Sequence, residues 1–333
     1  MQMLLKRLLS GLTDKQREIL TARYGFNGRV GKITLAALGG KYGITRERVR
    51  QIEVAALKSA AEAVNRDEEA KKVVADAVSY LRSLGGVEIT DRFSLRFPGA
   101  AAFILKVNGA VFHRDEDGEF HAFWHTDKNA MVRTRNFLKK LEVSLKDNKN
   151  EVIDKGKFGV LFAAAAKAHG LSEAVGLNYV SISKRFGVNP YGDIGLSEWP
   201  EIYPKTVKEK AHIVLKKIVK PMHFSEIAEE INKMNFNSKK AYAQTVHNEL
   251  IKDERFVLVG RGMYGLAEYG HKPGIAKEVI RRILKEKGPM RANDVLLAVQ
   301  SERFFKPNTV FLNLQNKNFF ERTSDGKYRV KEV

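Results

Sequence analysis

The chain has 333 residues, 44% of them hydrophobic, enough to bury several cores. It has no cysteine, which excludes disulfides, thiolate metal sites and cysteine nucleophiles. Lys and Arg number 58 against 39 Asp and Glu, giving a net charge of +19 and a pI near 9.8, so polyanions are the expected partners.

The charge is unevenly placed. Residues 1–66 carry +8, residues 67–203 balance to zero, residues 204–270 carry +4 and residues 271–333 carry +7. Two DNA-contacting ends around a neutral middle would need this distribution, whereas a uniformly solubilised surface would not. No apolar run approaches the ~20 residues of a membrane span, and a cytoplasmic, nucleoid-associated protein with no membrane contact is expected.

Leu4, Leu5, Leu8, Leu9 and Leu12 recur at helical spacing with Lys6 and Arg7 between them, too short and interrupted for a signal peptide. Thr13 then caps a helix with Ile19, Leu20 and Tyr24 on its apolar side, ended by Gly25. Asn27-Gly28-Arg29 reads as a loop. Thr34 caps a short helix from Leu35 to Tyr42, Gly43 turns the chain, and Thr45 caps a basic helix from Arg46 to Val64. Short helix, glycine turn and capped basic helix make a helix-turn-helix.

The remainder reads as a repeated unit of helices followed by a β-hairpin. The first copy has a helix near Lys71–Leu84, then strands at Val111–His113 and Glu119–Trp124 around an Asp117-Gly118 turn. The second has helices near Arg133–Leu145 and Lys157–His169, with strands at Val180–Ser183 and Asp193–Leu196. The third has helices at Val207–Ile218, Ser225–Ile231 and Ser238–Ile251, closed by Phe256–Val259 against Met263–Ala267. The fourth has helices at Ile275–Glu286, Arg291–Val299 and Pro307–Gln315, closed by Phe319–Arg322 and Tyr328–Val330 around Asp325-Gly326. The expected fold is mostly α with small β-hairpins: a helix-turn-helix over 1–66, then winged-helix units at 67–128, 129–203, 204–270 and 271–333.

Two stretches resemble known families. Leu12-Thr13-Asp14-Lys15-Gln16-Arg17-Glu18-Ile19-Leu20, Thr34-Leu35-Ala36-Ala37-Leu38 and the block Tyr42-Gly43-Ile44-Thr45-Arg46-Glu47-Arg48-Val49-Arg50-Gln51-Ile52-Glu53 resemble region 4 of sigma-70 family factors. In that family the second helix of the motif enters the major groove of the −35 promoter element. The resemblance implies Arg46, Glu47, Arg50 and Gln51 as the groove-facing set, with Arg48 nearer phosphate or solvent. The side chains suit this role independently. Arg50 fits a guanine edge, Gln51 an adenine edge, and Glu47 accepts from a cytosine amine. Thr45 and the helix N-terminus offer amides to a phosphate. One departure is that Ala36, Ala37, Gly39 and Gly40 stand where the family usually carries acidic residues, which softens the helix. Only twelve residues precede the motif, so −35 recognition without a promoter-melting region is expected.

Phe224-Ser225-Glu226-Ile227-Ala228, Thr245-Val246-His247 and Arg261-Gly262-Met263-Tyr264-Gly265-Leu266, within Pro204–Tyr269, are similar to the HARE-HTH module. That winged helix occurs in the delta subunit of some bacterial RNA polymerases and in several chromatin and restriction proteins. The acidic tail of delta subunits has no counterpart here, where the C-terminal copy is basic.

The resulting expectation is a transcription factor that binds promoter-like double-stranded DNA and modulates transcription with RNA polymerase core. Lys277, Arg281, Arg282 and Lys285 crowd one helix of the fourth copy and are the candidate second DNA contact, a solvated helix face being the other reading. An adaptor that binds polymerase or another partner, with non-specific DNA affinity, is the alternative function. An enzyme is not expected, nor any cofactor. Gly25–Thr34 lacks phosphate-loop spacing, and His113, His121 and His125 near Asp115, Glu116 and Asp117 fit hairpin surface positions better than a metal site. The aromatics near the hairpins, among them Phe120, Trp124, Trp199 and Phe320, read as core packing in preference to base stacking.

Overall fold

A computed structural model describes residues 1–25, 33–271, 274–303 and 305–331. The loop expected at Asn27-Gly28-Arg29 lies outside the described residues. The chain forms two compact units, residues 1–187 and 188–333. No helix among the described residues is long and apolar enough to cross a membrane.

The first unit opens with α1 (Gln2–Leu8), α2 (Asp14–Tyr24), α3 (Leu35–Tyr42) and α4 (Arg46–Arg66). These are the expected helices, and their ends are set by local chemistry. Thr13, Thr34 and Thr45 each accept an amide of the following turn, and Gly25 and Gly43 close α2 and α3 in the left-handed region that glycine tolerates. α5 (Glu68–Ser83), β1 (Val87–Ile89), α6 (Thr90–Arg96), α7 (Ala100–Asn108), β2 (Phe112–Arg114) and β3 (Phe123–His125) follow. The three strands form an antiparallel sheet in the order β1-β3-β2, with Val87 opposite His125 and His113 opposite Trp124.

α4 is one 21-residue helix with two tasks. Its N-terminal part is exposed, while Ala56, Ala60 and Val64 farther along pack against Leu5, Leu8, Phe103 and Ile104. Burying side chains as large as Phe103 and Ile104 contributes roughly 1.5–3 kcal/mol each. Arg7 adds bonds to Asp67 and Glu69 at the surface, where screening leaves such pairs little weight. Apolar burial, not surface pairing, therefore ties the helix-turn-helix to α7.

α8 (Lys128–Asp147), α9 (Lys149–Lys155), α10 (Phe158–Ala168), α11 (Glu173–Ile182) and β4 (Phe186–Val188) complete this part of the chain. Here the structure corrects the reading of Val180–Ser183 as a strand. Ser172 caps α11 and the buried residues Asn178, Tyr179 and Ile182 share one helical face, so the helix runs to Ile182. Strand character survives only as a bridge between Ser183 and Phe120. The Asp117-Gly118 turn exists, but the loop between β2 and β3 is longer than a tight hairpin.

Asp117 organises that loop. Its carboxylate accepts from the amides of Phe120 and Glu119 and from Arg114, and these bonds hold its pKa down to about 2. A carboxyl with a depressed folded pKa stabilises the fold above its unfolded value, near 4, and loses that contribution as pH falls toward 2. Asp117→Asn is therefore expected to lower the melting temperature at neutral pH, with the gap to wild type closing as pH drops from about 4 toward 2. A gap independent of pH in melts across this range would assign the stabilisation elsewhere.

The second unit starts at Val188, the last residue of β4, and its first whole elements are β5 (Ile194–Leu196), α12 (Val207–Ile218), β6 (Met222–His223), α13 (Phe224–Met234), α14 (Ala243–Ile251), β7 (Phe256–Gly260) and β8 (Met263–Leu266). Three helices and the sheet β6-β8-β7 enclose a core of Val214, Ile227, Ile231, Val246, Leu250 and Tyr264. α14 starts at Ala243, five residues later than the expected Ser238. Asn235 and Ser238 take positive φ, and the Asn235 side chain accepts the Ser238 amide, so the intervening segment is a turn. α15 (Ala276–Lys287), α16 (Ala292–Gln300), α17 (Pro307–Leu314), β9 (Phe320–Arg322) and β10 (Tyr328–Val330) repeat the plan around Ile280, Ile283, Val295, Val310 and Phe320. Within this unit the buried Arg303 donates through Nη1 to the carbonyl of Leu258 in β7.

Candidate nucleic-acid interface

The reading helix is presented by a small core. Ile19, Leu38 and Val49, all fully buried, fasten α2, α3 and the start of α4 together, with Ile44 and Ile52 packed around them. Gly39 lets α3 approach the following turn, since a Cβ there would lie 2.6 Å from the carbonyl oxygen of Ile44. The Ile44 amide in turn donates to the Gly39 carbonyl at 3.0 Å.

Outward from this core, Thr45, Arg46, Glu47, Arg48, Arg50 and Gln51 are all exposed. Arg46, Glu47, Arg50 and Gln51 fall on one face by helical spacing. One pair forms within it and a second joins it to Arg48. Arg50 donates to Glu47 from Nε at 2.9 Å and from Nη2 at 2.7 Å, and Arg48 donates to the side-chain oxygen of Gln51 at 3.0 Å. The Arg50 hydrogen bond holds the Glu47 carboxyl below the usual carboxylate range, and Glu47 raises Arg50 in return. At neutral pH this face offers two fixed opposite charges side by side, the polarity that a guanine acceptor edge next to a cytosine amine would meet.

Glu53, the last residue of the motif block, has a different job. It is buried and accepts from Arg23 Nε at 3.0 Å, while Arg23 Nη1 donates to the Ile33 carbonyl. This pair braces α2 against α4. A charge this far along a basic helix gives no sign in sequence that it turns inward.

The four basic residues singled out on α15 are not equivalent. Arg282 pairs with Glu302 and, at 3.7 Å, with Glu286. Lys277 places its ammonium 4.0 Å from the centre of the Phe319 ring. Arg281 and Lys285, one turn apart, are exposed and have no carboxylate partner among the described residues. Sequence reasoning missed another basic group in the same fold. Lys317, Arg322 and Lys331 line a groove of about 720 Å3 between the end of α17 and the β9–β10 hairpin. Arg322 ends β9 and Lys331 follows β10, on either side of the Asp325-Gly326 turn, whereas Lys317 lies before β9.

The histidines raised as metal candidates are dispersed in role. His113 contacts Thr90 and Asp115, and His125 stacks against Phe112 and is held below its usual pKa by burial. Phe120, Trp124, Trp199 and Phe320 are all buried, as expected of core aromatics.

Residues 8–59 match the model of sigma-70, region 4. Residues 205–269 match the model of HARE-HTH, the helix-turn-helix domain named in part for ASXL and restriction endonuclease proteins. The chain thus carries the fusion of two modules expected from its sequence, although neither match reaches half its length. No solved structure matches the chain. Both modules are DNA-binding regulatory types and not enzyme families, which indicates a DNA-binding, transcription-related function.

Proposed function

We propose that this protein is a sequence-specific transcription factor that reads a −35-like promoter element and acts together with RNA polymerase. The observation that supports it is the exposed face of α4, where Arg46, Glu47, Arg50 and Gln51 project from a helix fixed by the Ile19–Leu38–Val49 core. In this reading those four side chains meet base edges, and Thr45 and Arg48 sit at phosphates. Arg281 and Lys285 add phosphate contacts from the C-terminal unit, with Lys277 and Arg282 contributing once released from Phe319 and Glu302.

Fluorescence anisotropy on a −35-like and a scrambled duplex, over a salt series, tests this. Wild type is expected to prefer the −35-like duplex, and Arg50→Ala to lose about 1–3 kcal/mol of that preference. A mutant indistinguishable from wild type on both duplexes would sink groove readout by α4. The pairing of Arg50 with Glu47 and of Arg48 with Gln51 favours a second reading, in which the protein is a polymerase- or partner-binding adaptor with non-specific DNA affinity. Equal binding to both duplexes with a steep salt dependence would support that reading.

A further inference from the structure

The first unit contains a concave site separate from the exposed face of α4. It is a pocket of about 190 Å3 where the end of α2 meets α6, α7 and the three-stranded sheet. Its walls are aromatic: Tyr24 from the helix-turn-helix, Phe103 from α7 and Trp124 from β3. Tyr24 and Phe103 meet edge to face at 5.2 Å between ring centres, so their ring faces are set at an angle to each other. An apolar cavity of about 150 Å3 is known to accept benzene, so the space suits a single aromatic ring.

The polar groups narrow the ligand further. Thr90 and Ser94 bring hydroxyls, and the ammonium of Lys106 lies 5.2 Å from the Tyr24 ring centre at the exposed edge. Among the described residues, no Asp or Glu lines the pocket and Lys106 has no carboxylate partner. His113, which also lines it, is oriented from both sides, by Thr90 at 3.0 Å and by Asp115 at 3.4 Å. An aromatic recess with hydroxyl donors, one cation and no anion is complementary to an aromatic acid.

We propose that this pocket is a binding site for a single-ring aromatic carboxylate. The ring packs against Phe103 and Trp124, and the carboxylate is held by Lys106 with the Ser94 hydroxyl, Thr90 being engaged by His113. Tyr24 belongs to the helix-turn-helix while the other walls come from residues 90–124, so the bound ligand strengthens the junction between them. This assignment stands whether or not α4 reads DNA.

Calorimetric titration of the full chain with benzoate, benzamide and acetate tests it. Benzoate is expected to bind saturably with a Kd of roughly a millimolar or below, within reach of so small a ligand. Benzamide should bind about tenfold more weakly, because it lacks the charge-assisted contact, and acetate should not bind. Lys106→Met, a change at an exposed position, should erase the difference between benzoate and benzamide. Ala102→Leu, which fills the recess, should abolish both and remove the benzoate-induced rise in melting temperature. Benzoate binding no tighter than acetate, benzamide binding equal to benzoate in wild type, or undiminished binding in a folded Ala102→Leu protein would each overturn the proposal.

Discussion

Gly39→Ala is expected to destabilise the helix-turn-helix by about 1–3 kcal/mol net, whereas Gly40→Ala, one residue on, should stabilise it by about 1 kcal/mol. Both glycines sit inside α3, so helix propensity alone gives the two changes the same favourable sign. The surroundings separate them. A Cβ at Gly40 meets nothing within 4 Å, while one at Gly39 would stand 2.6 Å from the Ile44 carbonyl oxygen and 3.4 Å from the Arg46 amide nitrogen. Those atoms are backbone and cannot rotate away. They also lead directly into α4, so the strain is relieved only by moving the exposed helix relative to α3. Gly39→Ala should therefore weaken duplex binding as well, beyond its effect on stability. Chemical denaturation followed by helical circular dichroism, with anisotropy on the same proteins, checks both signs. If both substitutions stabilise, the close approach at Gly39 is not a constraint.

The softening of α3 by glycine, as read from sequence, is thus half of the account. Propensity is a local property and was legible, but the reason for Gly39 is a contact five residues away, visible only once the turn is built. The same division runs through the molecule. Threonine caps and helix-ending glycines marked α2, α3 and α4 closely, and the third and fourth helical sets were also legible. The middle of the chain was less so. α6 and α7 were missed, their short lengths giving little periodicity to read. Val180–Ser183 alternates like a strand yet ends a helix, because Asn178 and Tyr179 are needed on the face that meets β1. At the candidate interface the exposed set on α4 was legible, since charge and spacing suffice. Which cations are already engaged was not, because Arg282 depends on Glu302 and Lys277 on Phe319, partners remote in sequence.

Asn178→Ala is expected to cost about 2–4 kcal/mol, among the largest effects of any single polar side chain here. Asn178 is buried in α11 and its amide donates to the carbonyls of Leu84 and Val87, while its oxygen accepts from Arg92 at 2.9 Å. Arg92 in turn bonds Ser181 and the buried Glu88, which also receives the Tyr80 hydroxyl. Next to it the Tyr179 hydroxyl donates to the Gly85 carbonyl, and a Cβ on Gly85 would come within 2.6 Å of that hydroxyl. The chain end of α5 and the start of β1 are therefore held by side chains about ninety residues later, and the alanine leaves two carbonyls without donors. Asn178→Asp separates this account from simple loss of packing. It keeps the shape and improves the partner for Arg92, yet sets a carboxylate against two carbonyl oxygens, so it should destabilise at least as much as alanine. Urea midpoints of the three proteins, with amide exchange read across β1, decide it. Wild-type stability in the Asp variant would mean that shape, not the donated bonds, holds α11 to the sheet.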